Sequence, residues 1–173
     1  AIYAAPRTGA HMILGPVYRK WEELGRAGGP FGLPVTDTRT IEGTRLQFSD
    51  FEHGAIYSHP VLGTHPVPEP VLLLWDHYDR HRGPLGRVTT DLLAGTAGEH
   101  QEFEYGTVTA NPALGIHAVW GPIFDYWASQ SREDGTYGFP VSDVYAVDAD
   151  HDRCDFQNGS LMLDKTTGAV TQV

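Results

Sequence analysis

Three histidines recur along the chain in the same local setting. His11, His65 and His117 each follow a glycine by two residues, at intervals of 54 and 52 residues. Three neutral imidazoles that met at one point would suit Zn²⁺, which often takes three protein ligands and keeps one position open. A residue that recurs once per unit is more often required by the fold of that unit. We therefore expect each histidine to bond a backbone carbonyl of its own turn, with metal binding as the alternative.

Two further residue types recur with the same period. We expect the aspartates to hold nearby N–H groups in turns or caps, because short carboxylates serve that role in turns. We expect the tryptophans to face the core, because each follows an apolar residue by four positions in a helical pattern. These structural positions are Asp37, Asp91, Asp143, Trp21, Trp75 and Trp127.

Two other patterns resemble metal sites. His77 and His81 lie four residues apart, a spacing that lets two imidazoles share a metal, but no zinc-protease glutamate lies between them. Asp148, Asp150 and Asp152 alternate as in a calcium loop, but the glycine and glutamate that such a loop needs at positions six and twelve are missing. We expect a solvated helix end and an acidic hairpin loop, with weak calcium binding as the alternative for the second. No metal or cofactor is predicted.

No nucleophile is apparent in the sequence. There is no G-x-S-x-G elbow, and the single cysteine, Cys154, lies between aspartates, which should raise the pKa of its thiol. Glu22 and Glu23 fall on a polar helix face without a partner histidine. We therefore predict no catalytic residues.

Composition narrows the classes of partner. The chain has 173 residues with 22 acidic and 12 basic side chains, which gives a formal net charge of −10. Such a charge disfavours nucleic acid and anionic lipid as partners. No apolar run approaches the ~20 residues that a membrane-spanning helix needs. The chain does not begin with methionine, so we expect any signal peptide to have been removed or to lie outside this sequence.

The period predicts the elements that position these residues. A proline begins each expected helix, at Pro16, Pro70 and Pro122, and short strands with a Phe-x-x-Gly turn lie before it. We predict an α+β fold of tandem repeats. Each repeat would be a short antiparallel β-meander plus one short helix, packed around a pseudo-symmetry axis in a propeller-like or ring-like way.

The whole chain, 1–173, is expected to form one domain. Its predicted repeats are approximately 1–54, 55–106 and 107–159, with a partial fourth at 160–173. The chain begins within a unit at Ala1. Either the C-terminal strands close onto the first strand, or upstream repeats precede it.

The motifs together resemble the LGFP repeat family. Two clear copies are Gly29-Pro-Phe-Gly-Leu-Pro-Val-Thr-Asp37 and Gly138-Phe-Pro-Val-Ser-Asp143, whereas the second copy reads Leu85-Gly-Arg-Val88. That departure leaves open a structurally distinct connection there. The resemblance implies a secreted actinobacterial module that accompanies cell-envelope enzymes and binds cell-wall polysaccharide. It offers no catalytic or ligand motif to transfer.

Aromatic residues outside the tryptophan pattern are the ligand candidates. We predict that Tyr3, Tyr57, Trp120 and Tyr137 present rings to a neutral glycan, because such rings combine an apolar face with a polar group. Trp120 is the most informative, because the other copies carry smaller residues there. A gap-filling role beside the third helix is its alternative.

The sequence thus predicts a non-catalytic, secreted repeat module that is associated with the cell wall and binds polysaccharide, a neutral one being favoured. The first alternative is a protein-interaction or regulatory module for a secreted partner enzyme. The second is a hydrolase with an unrecognised acid and histidine site.

Overall fold

The repeated sequence folds into a repeated pattern of one small sheet followed by one short helix. The computed structural model describes all 173 residues and contains three helices and four antiparallel sheets, which confirms the α+β class. Within each sheet every strand pairs with the next one along the chain, so each sheet is a simple meander with two free edges. The ring-like or propeller-like placement of the units stays a prediction.

The helices and strands have the following bounds. The first sheet contains β1 (Ile2–Ala5) and β2 (Gly9–Met12), and α1 (Gly15–Glu23) follows it. The second contains β3 (Arg39–Thr40), β4 (Gln47–Phe51), β5 (Gly54–His59) and β6 (Gly63–Pro68), followed by α2 (Glu69–His77). The third contains β7 (Leu93–Ala94), β8 (Glu99–Phe103), β9 (Gly106–Asn111) and β10 (Gly115–Trp120), followed by α3 (Gly121–Ser129). The fourth contains β11 (Tyr145–Ala146), β12 (His151–Phe156), β13 (Gly159–Asp164) and β14 (Val170–Gln172).

Each helix buries its tryptophan against a phenylalanine of the sheet that follows it. All three tryptophan side chains are fully buried, as the helical pattern predicts. The ring pairs are Trp21 with Phe51, Trp75 with Phe103 and Trp127 with Phe156, at centroid distances of 5.5, 5.1 and 5.4 Å. Each indole N–H donates to a glycine carbonyl eleven residues later, at Gly32, Gly86 and Gly138, over 3.0, 3.2 and 3.1 Å. The buried indole is thereby satisfied.

A glycine after each helix allows a close backbone approach. Gly29, Gly83 and Gly135 have extended backbone with φ near −90°. The left-handed residues are the one before each short 3₁₀ turn and the first residue of that turn. A Cβ at the three glycines would lie 1.8, 1.5 and 1.6 Å from a carbonyl oxygen at the end of the helix. Glycine is therefore required there for close backbone approach.

The contacts divide the chain into two compact units. One comprises residues 1–73 and 88–92, and the other comprises residues 74–87 and 93–173. No helix is both long enough and apolar enough to span a membrane.

Candidate functional site

Each recurrent histidine is held between a backbone carbonyl and an aspartate. The Nε2 atoms lie 2.6, 2.7 and 3.0 Å from the carbonyl oxygens three residues earlier, so the hydrogen bonds predicted for these residues are present. The Nδ1 atoms lie 3.2, 2.7 and 3.5 Å from aspartate Oδ1 atoms. The three pairs are His11 with Asp37, His65 with Asp91 and His117 with Asp143. Both ring nitrogens of each histidine are thus engaged within its own repeat.

The aspartates also receive other donors. Asp37 accepts the backbone N–H of Met12 at 3.0 Å, and this bond, followed by the His11 contact, lowers the pKa of its carboxyl. Asp143 accepts the backbone N–H of Ala118 at 2.8 Å. The corresponding residue in the second repeat is Pro66, which has no N–H. These carboxylates therefore tie a strand to the connection that follows the helix.

Asp91 and Asp143 each bind a side chain from an earlier helix region as well. Lys20 Nζ lies 3.1 Å from Asp91 Oδ2, and the Tyr78 hydroxyl donates to Asp143 Oδ2 at 2.7 Å. Burial, and then the bond to Asp143, raise the pKa of the Tyr78 hydroxyl well above its usual range. The recurrent histidines and aspartates are thus bonded to one another and to other parts of the fold. None of these pairs is free to act as an acid and a base.

The segment after each helix, which contains Gly-x-Pro or, in the second copy, Gly-x-Val, is held to a turn of the next sheet by one hydrogen bond that all three copies share. The backbone N–H after Gly32, Gly86 and Gly138 donates to a Glu or Gln side-chain oxygen over 2.8, 2.9 and 2.9 Å. The second copy departs in sequence at Arg87, yet it keeps this bond. Its guanidinium also pairs with Glu104 Oε2 at 2.8 Å and Oε1 at 2.7 Å. The second copy therefore gains a salt bridge between Arg87 and Glu104 and keeps the same backbone hydrogen bond.

Two of the four predicted aromatic ligand residues lie in the core. Tyr57 is 2 % exposed and stacks on Phe48, with centroids 5.2 Å apart. Tyr137 is 4 % exposed and packs on Phe156 at 5.8 Å. Rings with so little exposure offer no face to a glycan in solution, so we drop both from the candidate set. Their burial is the physical reason for this correction.

The other two aromatic candidates are partly exposed. Tyr3 packs edge-on against Trp21, with centroids 4.5 Å apart. Trp120 packs edge-on against Tyr78 at 4.8 Å and lies beside the core that includes Trp127. The structure therefore does not bring the four predicted ligand residues together into one site.

The metal-like patterns do not assemble into metal sites. His81 was expected at a solvated helix end, but its side-chain nitrogens are shielded from solvent and have no hydrogen-bond partner, and burial lowers the pKa of this imidazole. Asp148 Oδ1 accepts the backbone N–H groups of Asp150 and His151, both at 2.8 Å. Asp152 pairs with Lys165 at 3.0 Å. No group of three His, Cys, Asp or Glu side chains is placed to hold a metal ion.

The single cysteine is a core residue. Cys154 is fully buried in the apolar core around Trp127, and burial raises the pKa of its thiol to about 12. Nucleophilic cysteines need a low pKa and access to solvent. This thiol has neither property.

A groove lies on the second sheet, within the first compact unit. Most of its accessible surface is apolar, but four of its seven lining side chains carry a hydroxyl or amide group, and we call it the polar groove. Its volume is about 440 Å³, which is within the roughly 300–1,000 Å³ typical of ligand sites. No acidic side chain lines it. The lining residues are Pro16, Thr40, Thr44, Arg45, Gln47, Ser58 and Pro60.

Strand register explains why polar side chains meet in this groove. Thr40 is paired with Gln47, Gln47 with Ser58, and Ser58 with Thr64. Directly opposed residues of neighbouring antiparallel strands project from the same face of a sheet. Gln47 Nε2 lies 3.5 Å from Thr40 Oγ1, and the Ser58 and Thr64 hydroxyls lie 2.9 Å apart. The second sheet thus carries a row of hydroxyl and amide groups, which we call the polar row.

The sequence contains a signal for this site that motif reasoning missed. At the first three positions of the polar row, the third sheet has Ala94, Glu99 and Ala110. The fourth sheet has Ala146, Asp152 and Leu163. A position-by-position comparison of the copies would have identified the hydroxyls as unique to one of them.

Comparison with known families agrees with the repeated structure. The sequence model of the LGFP repeat matches three segments of the chain, at residues 1–29, 31–83 and 85–135. The chain belongs to the LGFP repeat family. No curated protein matches it. Residues 136–173 lie outside the three LGFP matches, although β12 and β13 retain the Phe-x-x-Gly turn of the LGFP unit.

The LGFP motif residues and the groove residues are different sets. In this LGFP chain the recurrent tryptophans form the cores. The histidines and aspartates join a strand to the loop that follows the helix, and the glycines allow the close turns. The polar row lies at positions that vary between the copies. Any activity particular to this LGFP protein is therefore best sought at the varying positions.

Proposed function

We propose that this chain is a non-catalytic, secreted LGFP module that associates with the bacterial cell wall by binding its polysaccharide. The polar groove of the second sheet is the observation that carries this proposal. Sugar hydroxyls both donate and accept hydrogen bonds, and so do the exposed Thr40 hydroxyl and the partly exposed Gln47 amide of the polar row. Pro16 and Pro60 add apolar surface to the same groove.

The state of the candidate catalytic groups supports a non-catalytic role. The Nε2 atoms of the recurrent histidines already contact backbone carbonyls, so they do not face a substrate. The only thiol is buried. A hydrolase would need a free acid–base pair within reach of a bound substrate.

A protein-interaction module is the second candidate function. Tyr105, at a turn of the third sheet, is 60 % exposed, and Val61, at a turn of the second sheet, is 81 % exposed. Exposed aromatic residues are enriched where proteins bind one another. This candidate predicts binding that disappears when protein is removed from the wall.

Sedimentation with isolated actinobacterial cell wall, stripped of protein, tests the proposal at low and high salt. We expect retention at both, because hydrogen bonds carry most of the recognition. Gln47→Ala should reduce retention, whereas Gln172→Ala, a matched change on exposed β14, should not. Trp120→Ala tests the aromatic site separately. Absence of retention at both salt concentrations would reject polysaccharide binding and favour the protein-partner function, whereas a contact between charged groups alone would weaken only at high salt.

A further inference from the structure

The polar groove contains one charged side chain, and that residue points to the class of glycan. We infer that the groove binds a polysaccharide whose sugars carry an anionic substituent, a carboxylate or a phosphate, and that Arg45 binds this substituent. The inference rests on the proposed function and names the ligand class of the same site. It replaces the neutral glycan that the sequence favoured.

Arg45 is an exposed guanidinium without a carboxylate partner. Six other arginines are paired with carboxylates, as Arg7 is with Glu52 at 2.7 Å and Arg132 is with Glu102 at 2.6 Å. Arg19, Arg39 and Arg82 share the unpaired state of Arg45, but none of them lines the groove. A guanidinium presents a planar set of N–H donors that fits the two oxygens of a carboxylate or phosphate. Because no acidic residue lines the groove, a bound anion would meet no like charge there.

The backbone on both sides of Arg45 is fixed before any ligand arrives. The Thr44 N–H and hydroxyl donate to the Ile41 carbonyl over 3.1 and 2.8 Å. The Leu46 N–H donates to the Thr44 hydroxyl at 3.1 Å, and the Leu46 side chain is only 1 % exposed. An ordered segment loses less conformational entropy when it binds. The backbone of Arg45 therefore starts from a defined position at the wall of the groove, and only its side chain must be ordered on binding.

The negative charge of the whole chain disfavours binding of an anionic glycan elsewhere on the surface. With a net charge of −10, most of the surface repels an anionic polymer. An acidic glycan is thus attracted where a cation stands beside hydroxyl and amide groups that bind its sugar ring. Arg45, the Thr40 hydroxyl and the Gln47 amide supply both within one groove.

Titration calorimetry of the full chain with matched soluble probes tests the inference. The carboxylate arm compares trigalacturonate with its methyl ester, and the phosphate arm compares maltotriose 1-phosphate with maltotriose. We expect at least one anionic probe to bind roughly tenfold or more tighter than its neutral counterpart, because hydrogen bonds to charged groups are the stronger class. The arm that shows the preference identifies the substituent.

Two arginine variants distinguish binding at the groove from nonspecific attraction of the probe to positive charge. Arg45→Gln should abolish the preference for the anionic probe. Arg39→Gln should keep it, because Arg39 is also exposed but precedes Thr40 in β3 and so projects from the opposite face of the sheet. Unchanged melting temperatures would show that both variants fold.

Three results would overturn the inference. They are equal binding of anionic and neutral probes, a preference that survives Arg45→Gln, and no binding of any probe. Sedimentation with stripped cell wall then tests separately whether the protein binds polysaccharide. If Arg45→Gln is retained like the wild type while Gln47→Ala is lost, polysaccharide binding holds and only the anionic specificity fails.

Discussion

Replacing Asp143 with alanine would measure what the recurrent aspartate contributes to folding. The Asp143 side chain is 23 % exposed and accepts the backbone N–H of Ala118 at 2.8 Å and the hydroxyl of Tyr78 at 2.7 Å. Ala118 is fully buried, so water cannot replace the lost acceptor at its N–H group without a local opening. The truncation therefore leaves one buried donor and one half-buried donor without a partner.

The expected loss follows from these two bonds. A hydrogen bond to a charged group contributes roughly 1.5–3 kcal/mol to stability, and the two contributions overlap because one carboxylate accepts both. We expect Asp143→Ala to lower the free energy of unfolding by about 3 kcal/mol. For a chain of this size that corresponds to a fall in Tm of about 6–12 °C.

The chain contains its own control at Asp37. The Asp37 side chain is 55 % exposed, and Met12, whose N–H it accepts, is 43 % exposed. Because water can reach both groups, Asp37→Ala should cost markedly less than Asp143→Ala. Urea unfolding followed by tryptophan fluorescence measures both variants at one pH. Equal losses would refute the reasoning, since burial of the donors would then not determine the contribution of the aspartate.

Three further expectations follow from local geometry. Cys154 should resist a maleimide reagent at neutral pH in native buffer and react fully in concentrated urea, because the thiol is buried and its pKa is raised to about 12; rapid native labelling would contradict this. Gly32→Ala should lower the urea midpoint more than Gly43→Ala, because φ is left-handed at both but only at Gly32 would a Cβ meet another side chain, at 2.6 Å. Ultraviolet titration should show the Tyr78 hydroxyl ionising at lower pH in Asp143→Asn than in the wild type, because burial and then its bond to the carboxylate raise its pKa and the variant removes the second cause; identical titrations would argue against that bond.

The sequence predicts well those residues whose role is complete within one repeat. The helical spacing around Trp21 is sufficient to place it in the core, and the recurrence of His11 is sufficient to assign it to its own turn. Both predictions rest on local geometry that every copy must satisfy. Residues of this kind are the same in all copies because each unit folds by the same contacts.

Predictions fail where burial depends on packing beyond the repeat pattern. Tyr57 lies in β5, whose first five residues are all buried, so the alternation of inward and outward side chains that a two-faced strand would show is absent. Tyr137 was predicted to present its ring to a glycan, but it corresponds to Phe31 of the first copy, and both rings are buried in the cores of their own units. An alignment of the copies would have predicted the burial of Tyr137. The glycine at Gly83 is explained by a clash with the carbonyl of Tyr78, which only coordinates reveal.

The polar row gives the clearest separation of folding from function in this chain. Ala94 and Ala110 occupy the corresponding positions of the third sheet, so the LGFP unit folds without hydroxyl groups there. We therefore expect the double variant Thr40→Ala with Ser58→Ala to unfold within about 1 kcal/mol of the wild type, because the groups left behind, the Gln47 amide and the Thr64 hydroxyl, are partly exposed and water can replace the lost partners. The same variant should lose retention by stripped cell wall. A stability loss as large as that of Asp143→Ala, with retention intact, would show that the hydroxyls serve the fold and that the groove is not the binding site.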